Sequence, residues 1–207
     1  MNATRGELKA RAKEAIKGNI GMYFVCTLIV TAITGVCAAI PVVGSIGSIF
    51  LGGPFALGMV YVVYTVLRGE KIDIGAQLFG GFQRFWDAVA CYWLQSIFIA
   101  LWSLLFVIPG IVKSFSYAMS FYILAENPEM SGKEAIDASK ELMNGHKMEL
   151  FMLCLSFIPW FLLTAVTCGI ASIYVVPYVS TTIANFYLDI KGQTYVAPVE
   201  TEGTFEV

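Results

Sequence analysis

The chain has 207 residues, of which 57% are hydrophobic and 14% charged, and 13 basic against 15 acidic side chains give a net charge of −2. Soluble domains carry about 25% charged residues, so this composition excludes an ordinary soluble protein. The near-neutral charge, without a dense basic run, also excludes nucleic-acid binding. Charge-free stretches of 50, 25 and 39 residues, at 18–67, 88–112 and 150–188, each have room for one or two membrane-spanning helices.

The first part of the chain predicts a basic N-terminal arm followed by two membrane spans. Residues 1–18 form a basic amphipathic arm rich in strong helix formers. The apolar run at 19–40 is longer than the apolar region of a signal peptide, so we interpret it as a retained first span. Proline and glycine at 40–44 predict a tight turn, and the second span follows at 45–67.

The next segment predicts an interfacial helix and a second hairpin. Residues 68–87 begin polar and then place aromatic side chains at three- and four-residue steps beside Arg84. This pattern is typical of a short helix in the headgroup region. Two spans are predicted at 88–108 and 110–125, with a break at Pro109 between them.

The polar loop at 126–149 predicts one surface helix. Ser131, with Glu134 three residues later, forms a capping box, and Gly145 supplies a left-handed stop, so the helix is placed at 132–143. Its apolar face can lie on the bilayer or on the helix bundle. The apolar positions are Ala135, Ile136, Leu142 and Met143.

The last charge-free stretch divides into spans at 150–167 and 170–188, and a flexible polar tail follows at 189–207. Six spans in three hairpins, with both termini on one side, place 12 of the 13 basic residues on that side, which the positive-inside rule makes cytoplasmic. The predicted fold class is therefore all-α. We expect a polytopic helix bundle of the cytoplasmic (inner) membrane, with a single membrane domain at 19–188 and amphipathic helices on its cytoplasmic face.

A weak internal repeat relates the second span to the sixth. Each has a proline and an aromatic residue near its start, and a tyrosine, a basic residue and a glycine near its end, at identical spacing. Parallel halves related by an axis normal to the membrane would produce this pattern, and so would the shared preference of aromatic and basic residues for helix ends. The matching residues are Pro54, Phe55, Tyr64, Leu67, Arg68 and Gly69, and then Pro177, Tyr178, Tyr187, Ile190, Lys191 and Gly192.

Three polar side chains fall inside predicted spans. Lys113 is an intramembrane cation, which marks an ion or substrate path unless its stem snorkels to the outer interface. Gln95 and Asn185 require partners in the bundle interior, either as hydrogen bonds between helices or as part of a substrate site. The candidate partners are Thr164, Thr181 and Thr182.

Small residues four positions apart form a ridge on the second span. Such a ridge predicts close helix packing, either within the chain or with another copy. The ridge consists of Gly44, Ser48, Gly52 and Ala56.

The sequence offers little for catalysis. His146 is the single histidine and lies at the end of the surface helix, where a helix-terminal role fits better than metal binding. Glu126 closes the fourth span before a turn. The motifs of zinc proteases, P-loop proteins, serine hydrolases and dinucleotide-binding folds are absent, and the five cysteines show no metal or redox spacing. The sequence therefore predicts a protein that is not an enzyme, without catalytic, cofactor-binding or metal-binding residues.

Motifs over nearly the whole chain carry a family resemblance. They are 108–114 (IPGIVKS), 122–128 (YILAENP), 134–136 (EAI) with 139–140 (SK), 143–147 (MNGHK), 155–158 (LSFI) with Trp160, and 177–178 (PY) with 186–187 (FY). They resemble the bacterial membrane-protein family designated domain of unknown function nine-seven-five. The resemblance implies a six-span protein of the cytoplasmic membrane without established activity, more distantly similar to the membrane domain of glycerophosphodiester phosphodiesterases.

Two functions remain open at this point. The first is a non-enzymatic scaffold or helper for a membrane-protein partner in the cell envelope, since the polar structure is concentrated on the cytoplasmic face at the N-terminal arm, 68–87 and 126–149. The alternative is a small transporter or permease for a lipid or small solute, which Lys113 and the intramembrane amides favour. Either protein would contact the lipid bilayer, and the ridge leaves room for a homo-oligomer.

Overall fold

The computed structural model describes residues 4–38, 43–105 and 107–192, and this part of the chain is all-helical, as predicted. Residues 39–42, at the end of the predicted first span and in the predicted turn, and residues 193–207 of the predicted tail lie outside it. The helices are α1 (Arg5–Ala15), α2 (Ile20–Ala38), α3 (Val43–Leu67), α4 (Phe85–Leu105), α5 (Val107–Tyr117), α6 (Ser120–Glu126), α7 (Gly132–Leu142), α8 (Lys147–Leu155), α9 (Ile158–Val166) and α10 (Ser172–Ile190).

Helix α3 lies at the centre of the bundle. Helices α2, α4, α6 and α10 pack around it, and side chains such as Leu57, Val62 and Val66 are fully buried. The connection from α3 to α4 also packs on α3, as a π-helical turn (Ile74–Leu78) and a 3-10 turn (Gly80–Arg84). These two short turns stand in place of the regular interfacial helix that the aromatic spacing predicts.

The predicted span at 110–125 consists of two helices, α5 and α6. The chain turns at 118–119, and a side chain from α7 compensates the break. The Ser139 hydroxyl donates to the Ser116 carbonyl at 2.8 Å and accepts from the Met119 N–H at 3.2 Å. A helix end leaves such backbone groups without partners, and here a residue 20 positions away supplies them.

The predicted span at 150–167 is also interrupted, between α8 and α9. Pro159 lies in the first turn of α9, where its missing N–H costs no helical hydrogen bond and its fixed backbone angle favours a helix start. The Ser156 carbonyl near the break accepts a hydrogen bond from Lys9 Nζ at 3.1 Å. The interruption is therefore stabilised by a long-range contact, as the first one is.

Helix α7 is the predicted surface helix, and its capping box between Ser131 and Glu134 is present. The backbone N–H of Ser131, and then its hydroxyl, hold the pKa of the Glu134 carboxyl below its usual value. The inner face of α7 packs on α4, α5 and α6, so this face covers the bundle. Its buried residues are Gly132, Ala135, Ile136 and Ser139, with Met143 just beyond the end.

Replacing Ser139 with alanine is expected to lower the free energy of unfolding by about 2 kcal/mol, because the substitution removes the partners of two backbone groups in a fully buried site. Thermal unfolding of the purified protein in detergent, followed by circular dichroism, measures the change. Ala138→Ser, on the half-buried neighbouring position, is the control and should change stability by less than about 0.5 kcal/mol. Equal stability of Ser139→Ala and the wild type would show that water satisfies the break.

Helix α1 is a packed element of the fold. Leu8, Ala12 and Ile16 are buried, and the helix lies against α10. The ammonium groups of Lys9 and Lys13 lie over aromatic rings, at 4.8 Å from the Phe157 centroid and 6.0 Å from that of Tyr178. The basic N-terminal arm therefore contributes its apolar face and two of its charges to the bundle.

Three segments are long and apolar enough to cross a membrane: Phe50–Leu67, Ile74–Leu104 and Lys147–Val166. The pair Arg5–Ala15 and Ile20–Val36, bent by 90°, would add a fourth. Within the described residues, α5 and α6 are each too short to count as a membrane span. Helix α10 is long enough, but its polar residues make its mean hydropathy too low. The chain thus has three or four candidate spans by length and composition, which is compatible with a membrane protein.

Candidate functional site

The C-terminal ends of α3, α6 and α10 come together around a half-open cavity of about 1380 Å³, which we call the polar cleft. The turns at 74–84 and the first turn of α4 complete its wall. The lining combines tyrosine, amide and charged side chains, in contrast to the apolar surfaces of the bundle. Its charged residues are Arg68, Glu70, Arg84, Asp87, Glu126 and Lys191.

Glu126 connects α6 to α10 inside the polar cleft. The Tyr187 hydroxyl donates to its Oε2 at 2.7 Å, and the Lys191 ammonium forms an ion pair with the same oxygen. The Tyr187 ring stacks on Tyr122, with centroids 5.4 Å apart, and Tyr122 meets the ring of Tyr64 edge-on at 6.1 Å. The predicted helix-end residue therefore lies at the junction of three helices.

Arg84 joins the start of α4 to the end of α6. Its guanidinium donates to the carbonyls of Leu124, Asn127 (3.0 Å) and Met130, and it pairs with Asp87 at 3.3 Å. The carbonyls at a helix C-terminus have no partners within the helix, and a planar fork of five donors can satisfy several of them at once. Arg84 therefore holds one wall of the polar cleft in place.

The internal repeat converges on the polar cleft. Arg68 and Lys191, which are equivalent in the repeat, each follow the last residue of their helix, and both line the cleft. The glycines that come next, Gly69 and Gly192, both have left-handed backbone, with φ of 70° and 77°. Two helices with matching ends thus place matching cations at one cavity, as related halves would, although a left-handed glycine is also a general feature of helix ends.

Lys113 lies outside the polar cleft. Its ammonium is 4.9 Å from the centroid of Trp102, so α5 and α4 contact each other through a cation–π pair. The backbones approach closely at Gly110, where a Cβ would lie 2.2 Å from Ser103 Oγ. The structure therefore gives Lys113, the predicted intramembrane cation, an aromatic partner.

Asn185 is buried and Gln95 is half-buried, and neither bonds to a predicted threonine partner. Thr164 and Thr182 bond to carbonyls of their own helices, at 3.0 and 2.7 Å. Within the described residues, the buried atoms that lack any hydrogen-bond partner are Gln95 Oε1, Thr181 Oγ1, Asn185 Nδ2 and Asn185 Oδ1.

The predicted ridge is described in part. The surroundings of Gly44 and Ser48 lie outside what the structure describes, and Ala56 is half-buried. At Gly52, a Cβ would lie 3.1 Å from the Tyr92 ring of α4. The described half of the ridge thus packs within the chain. Closer approaches occur at glycines beyond the ridge, Gly58 and Gly81.

His146 lies beyond the last residue of α7, the predicted surface helix, and immediately before the first residue of α8. Its Nδ1 lies 2.8 Å from the Oε2 of Glu149, so its partner is a carboxylate of the next helix rather than the carbonyls of α7. In the described part of the chain, no three His, Cys, Asp or Glu side chains are grouped so that they could hold a metal ion.

The family model described as Protein of unknown function (DUF975) matches residues 1–116 and 104–194. The chain belongs to this family. No curated protein and no solved structure matches the chain. The DUF975 description assigns no role, and the distant similarity to the membrane domain of glycerophosphodiester phosphodiesterases stays a prediction.

In this DUF975 protein, only some of the residues that line the polar cleft are predictable as site residues from the sequence. The sequence predicts Glu126 as a candidate, whereas it places Arg84 in an interfacial helix and Arg68 and Lys191 at the ends of spans. The signal that could have found two of them is the internal repeat, because equivalent positions of two related helices often face one site. No local signal indicated the carbonyls that Arg84 binds.

Proposed function

We propose that this DUF975 protein crosses the cytoplasmic membrane with six hydrophobic segments and keeps both termini in the cytoplasm. Three or four segments of the described chain have the required length and apolar character. The other crossings would use α5 with α6, and α10, each of which buries polar groups against neighbouring helices. The distribution of basic residues supports this orientation.

The observation that carries a functional proposal is the position of α7. Gly132 lies against Asp87 and Cys91 near the start of α4, and Lys140 Nζ lies 5.7 Å from the ring of Phe98 further along it. Helix α7 therefore runs beside an apolar candidate span for its whole length, about 16 Å for 11 residues. Its outward face carries exposed charges, which are costly against hydrocarbon and so require water or a polar partner. These residues are Lys133, Glu134, Asp137 and Glu141.

On this basis the protein acts as a non-enzymatic scaffold or helper, and the outward face of α7 is the contact for a membrane-protein partner. The capping box and the buried Ser139 hold α7 rigidly, so its charged face is presented in one orientation. A rigid surface loses little conformational entropy on binding, which favours specific association. The sequence lacks the motifs of zinc proteases, P-loop proteins, serine hydrolases and dinucleotide-binding folds, and a scaffold role requires no cofactor.

A charge exchange on α7 tests the proposal more sharply than a deletion, which would remove buried residues of the bundle. Lys133→Glu combined with Glu141→Lys keeps the net charge and places each charge favourably for the helix dipole. The tagged protein is purified from native membranes in polymer nanodiscs, and co-purified proteins are identified by mass spectrometry. We expect a stoichiometric partner to co-purify with the wild type but not with the charge-exchange variant of α7.

The matched control exchanges Glu14→Lys with Lys17→Glu, two exposed charges near the end of α1. This variant should retain the partner at the wild-type amount. A partner retained by both exchanges would contradict a contact through α7. Recovery of a second copy of this chain as the partner would identify the contact as a homo-oligomer interface.

The second candidate function, a small transporter or permease, is favoured by the unpartnered buried atoms of Gln95, Thr181 and Asn185. Buried polar groups without partners are costly, and in membrane helices they often mark a substrate path. Asn185→Leu removes such a group, whereas Lys113→Met removes a cation that already has an aromatic partner. Transport predicts that Asn185→Leu abolishes a solute flux in vesicles at normal expression. Normal flux in Asn185→Leu, or no flux in the wild type, argues for the scaffold.

A further inference from the structure

Two of the charged residues that line the polar cleft have no partner of their own. Arg84 pairs with Asp87, and Lys191 pairs with Glu126. That leaves Arg68 and Glu70, both exposed, for which the described part of the chain provides no ion pair and no side-chain hydrogen bond. The cleft therefore offers a ligand one free cation and one free anion, two residues apart.

The remainder of the polar cleft is suited to an ammonium group. Helices α3 and α10 end there, and a helix C-terminus carries about half a negative charge. The rings of Tyr61 and Tyr64 line the same cavity, and tyrosine faces attract cations. An ammonium group thus finds Glu70, helix ends and aromatic faces, while Arg68 is the group available for an anion.

From this arrangement we infer that the polar cleft binds a zwitterionic ligand of the phosphoethanolamine type, with the phosphate on Arg68 and the ammonium on Glu70. A dianion would face the carboxylates of Glu70, Asp87 and Glu126, and a simple cation would face Arg68. Only a ligand with both charges satisfies both free groups. This inference is independent of the α7 contact, since neither free residue belongs to α7.

The polar cleft is large enough to hold the zwitterion either as a lipid headgroup or as a soluble molecule. About 1380 Å³ exceeds the roughly 300–1,000 Å³ of ordinary small-molecule sites, so a headgroup with part of its glycerol fits as well as a soluble molecule. Apolar lining from Leu67, Leu188 and Ala125 could receive the start of an acyl chain. Phosphatidylethanolamine is the lipid source, and O-phosphoethanolamine represents the soluble one.

Native mass spectrometry of the full chain in detergent tests the inference. The protein is mixed with phosphatidylethanolamine or with phosphatidylglycerol of the same acyl chains, and the bound lipid is counted. We expect about tenfold stronger binding of phosphatidylethanolamine, because only this lipid has an ammonium group. A parallel titration with O-phosphoethanolamine distinguishes the sources, since displacement of the lipid indicates that the soluble zwitterion also binds.

Two neutralising variants locate the binding. Glu70→Gln should reduce phosphatidylethanolamine binding to the phosphatidylglycerol level, and Arg68→Gln should weaken binding of both lipids, because both lipids carry the phosphate. Neither variant should change thermal stability, since both residues are exposed. The controls are Lys71→Gln and Glu129→Gln, which remove neighbouring exposed charges that do not line the cleft. Equal binding of the two lipids, binding that both variants leave unchanged, or no binding of lipid and soluble zwitterion would each overturn the inference.

Discussion

Replacing Arg84 with alanine is expected to lower the free energy of unfolding by about 3 kcal/mol, since a hydrogen bond to a charged group contributes roughly 1.5–3 kcal/mol and Arg84 makes several. Its guanidinium binds the carbonyls of Leu124, Asn127 and Met130, and its side chain is only 14% exposed, so water cannot replace all these bonds. Thermal or denaturant unfolding in detergent micelles, followed by helical circular dichroism, measures the loss.

Two further variants distinguish the effect of the several N–H donors of the Arg84 guanidinium from the effect of its positive charge. Arg84→Lys keeps the charge but offers one nitrogen, so it should recover no more than about half of the lost stability. Arg68→Ala removes an exposed arginine from the same cleft and should cost less than about 0.5 kcal/mol. If Arg84→Ala and Arg68→Ala had equal effects, the contact between α4 and the end of α6 would not be a principal support of the cleft.

Features encoded by neighbouring residues were predicted well from the sequence. The capping box at Ser131 and Glu134 requires only residues three positions apart, and both hydrogen bonds are present. Gly145 adopts the predicted left-handed backbone, with φ of 88°. The helical fold class followed from the charge-free stretches, because a backbone in lipid must satisfy its own polar groups.

Features that depend on distant residues were not predictable in this way. The run 110–125 is apolar enough to suggest one helix, but Ser139 makes a break at 118–119 favourable by bonding both sides of it. The polar cleft has the same origin, because the partners of Arg84 are 40 to 46 positions away. The hydropathy of a segment indicates whether it lies in lipid or in water. It does not indicate which side chain bonds to which backbone carbonyl.

The close contact between α3 and the turns before α4 also depends on pairs of distant residues. A Cβ on Gly81 would lie 2.0 Å from the Pro54 carbonyl oxygen, and one on Gly58 would lie 2.1 Å from that of Leu78. Gly52, a member of the predicted small-residue ridge, lies on the same helix. The atoms nearest to a Cβ at this position belong to the Tyr92 ring. A ring can shift, whereas a backbone carbonyl held in a helix or turn cannot shift without moving the whole element.

Gly81→Ala is therefore expected to prevent folding, with a loss of more than about 4 kcal/mol, because the two backbones would have to separate. The yield of monodisperse protein in mild detergent and its melting temperature measure the effect, and Gly58→Ala should behave in the same way. Gly52→Ala should fold with a smaller loss. Gly21→Ala, where a Cβ meets nothing within 4 Å, is the matched control and should be neutral or stabilising by up to about 1 kcal/mol, as alanine favours a helix.

The order of these four variants distinguishes two sources of helix packing. If the small-residue ridge is the main contact of α3, Gly52→Ala should be the most damaging substitution and Gly81→Ala should be tolerated. If the turns at 74–84 are anchored by backbone contact with α3, the reverse order follows, and loss of that anchor should also open the polar cleft, since the same turns form its wall. The structure favours the second order, because at Gly58 and Gly81 the obstructing atoms are backbone atoms.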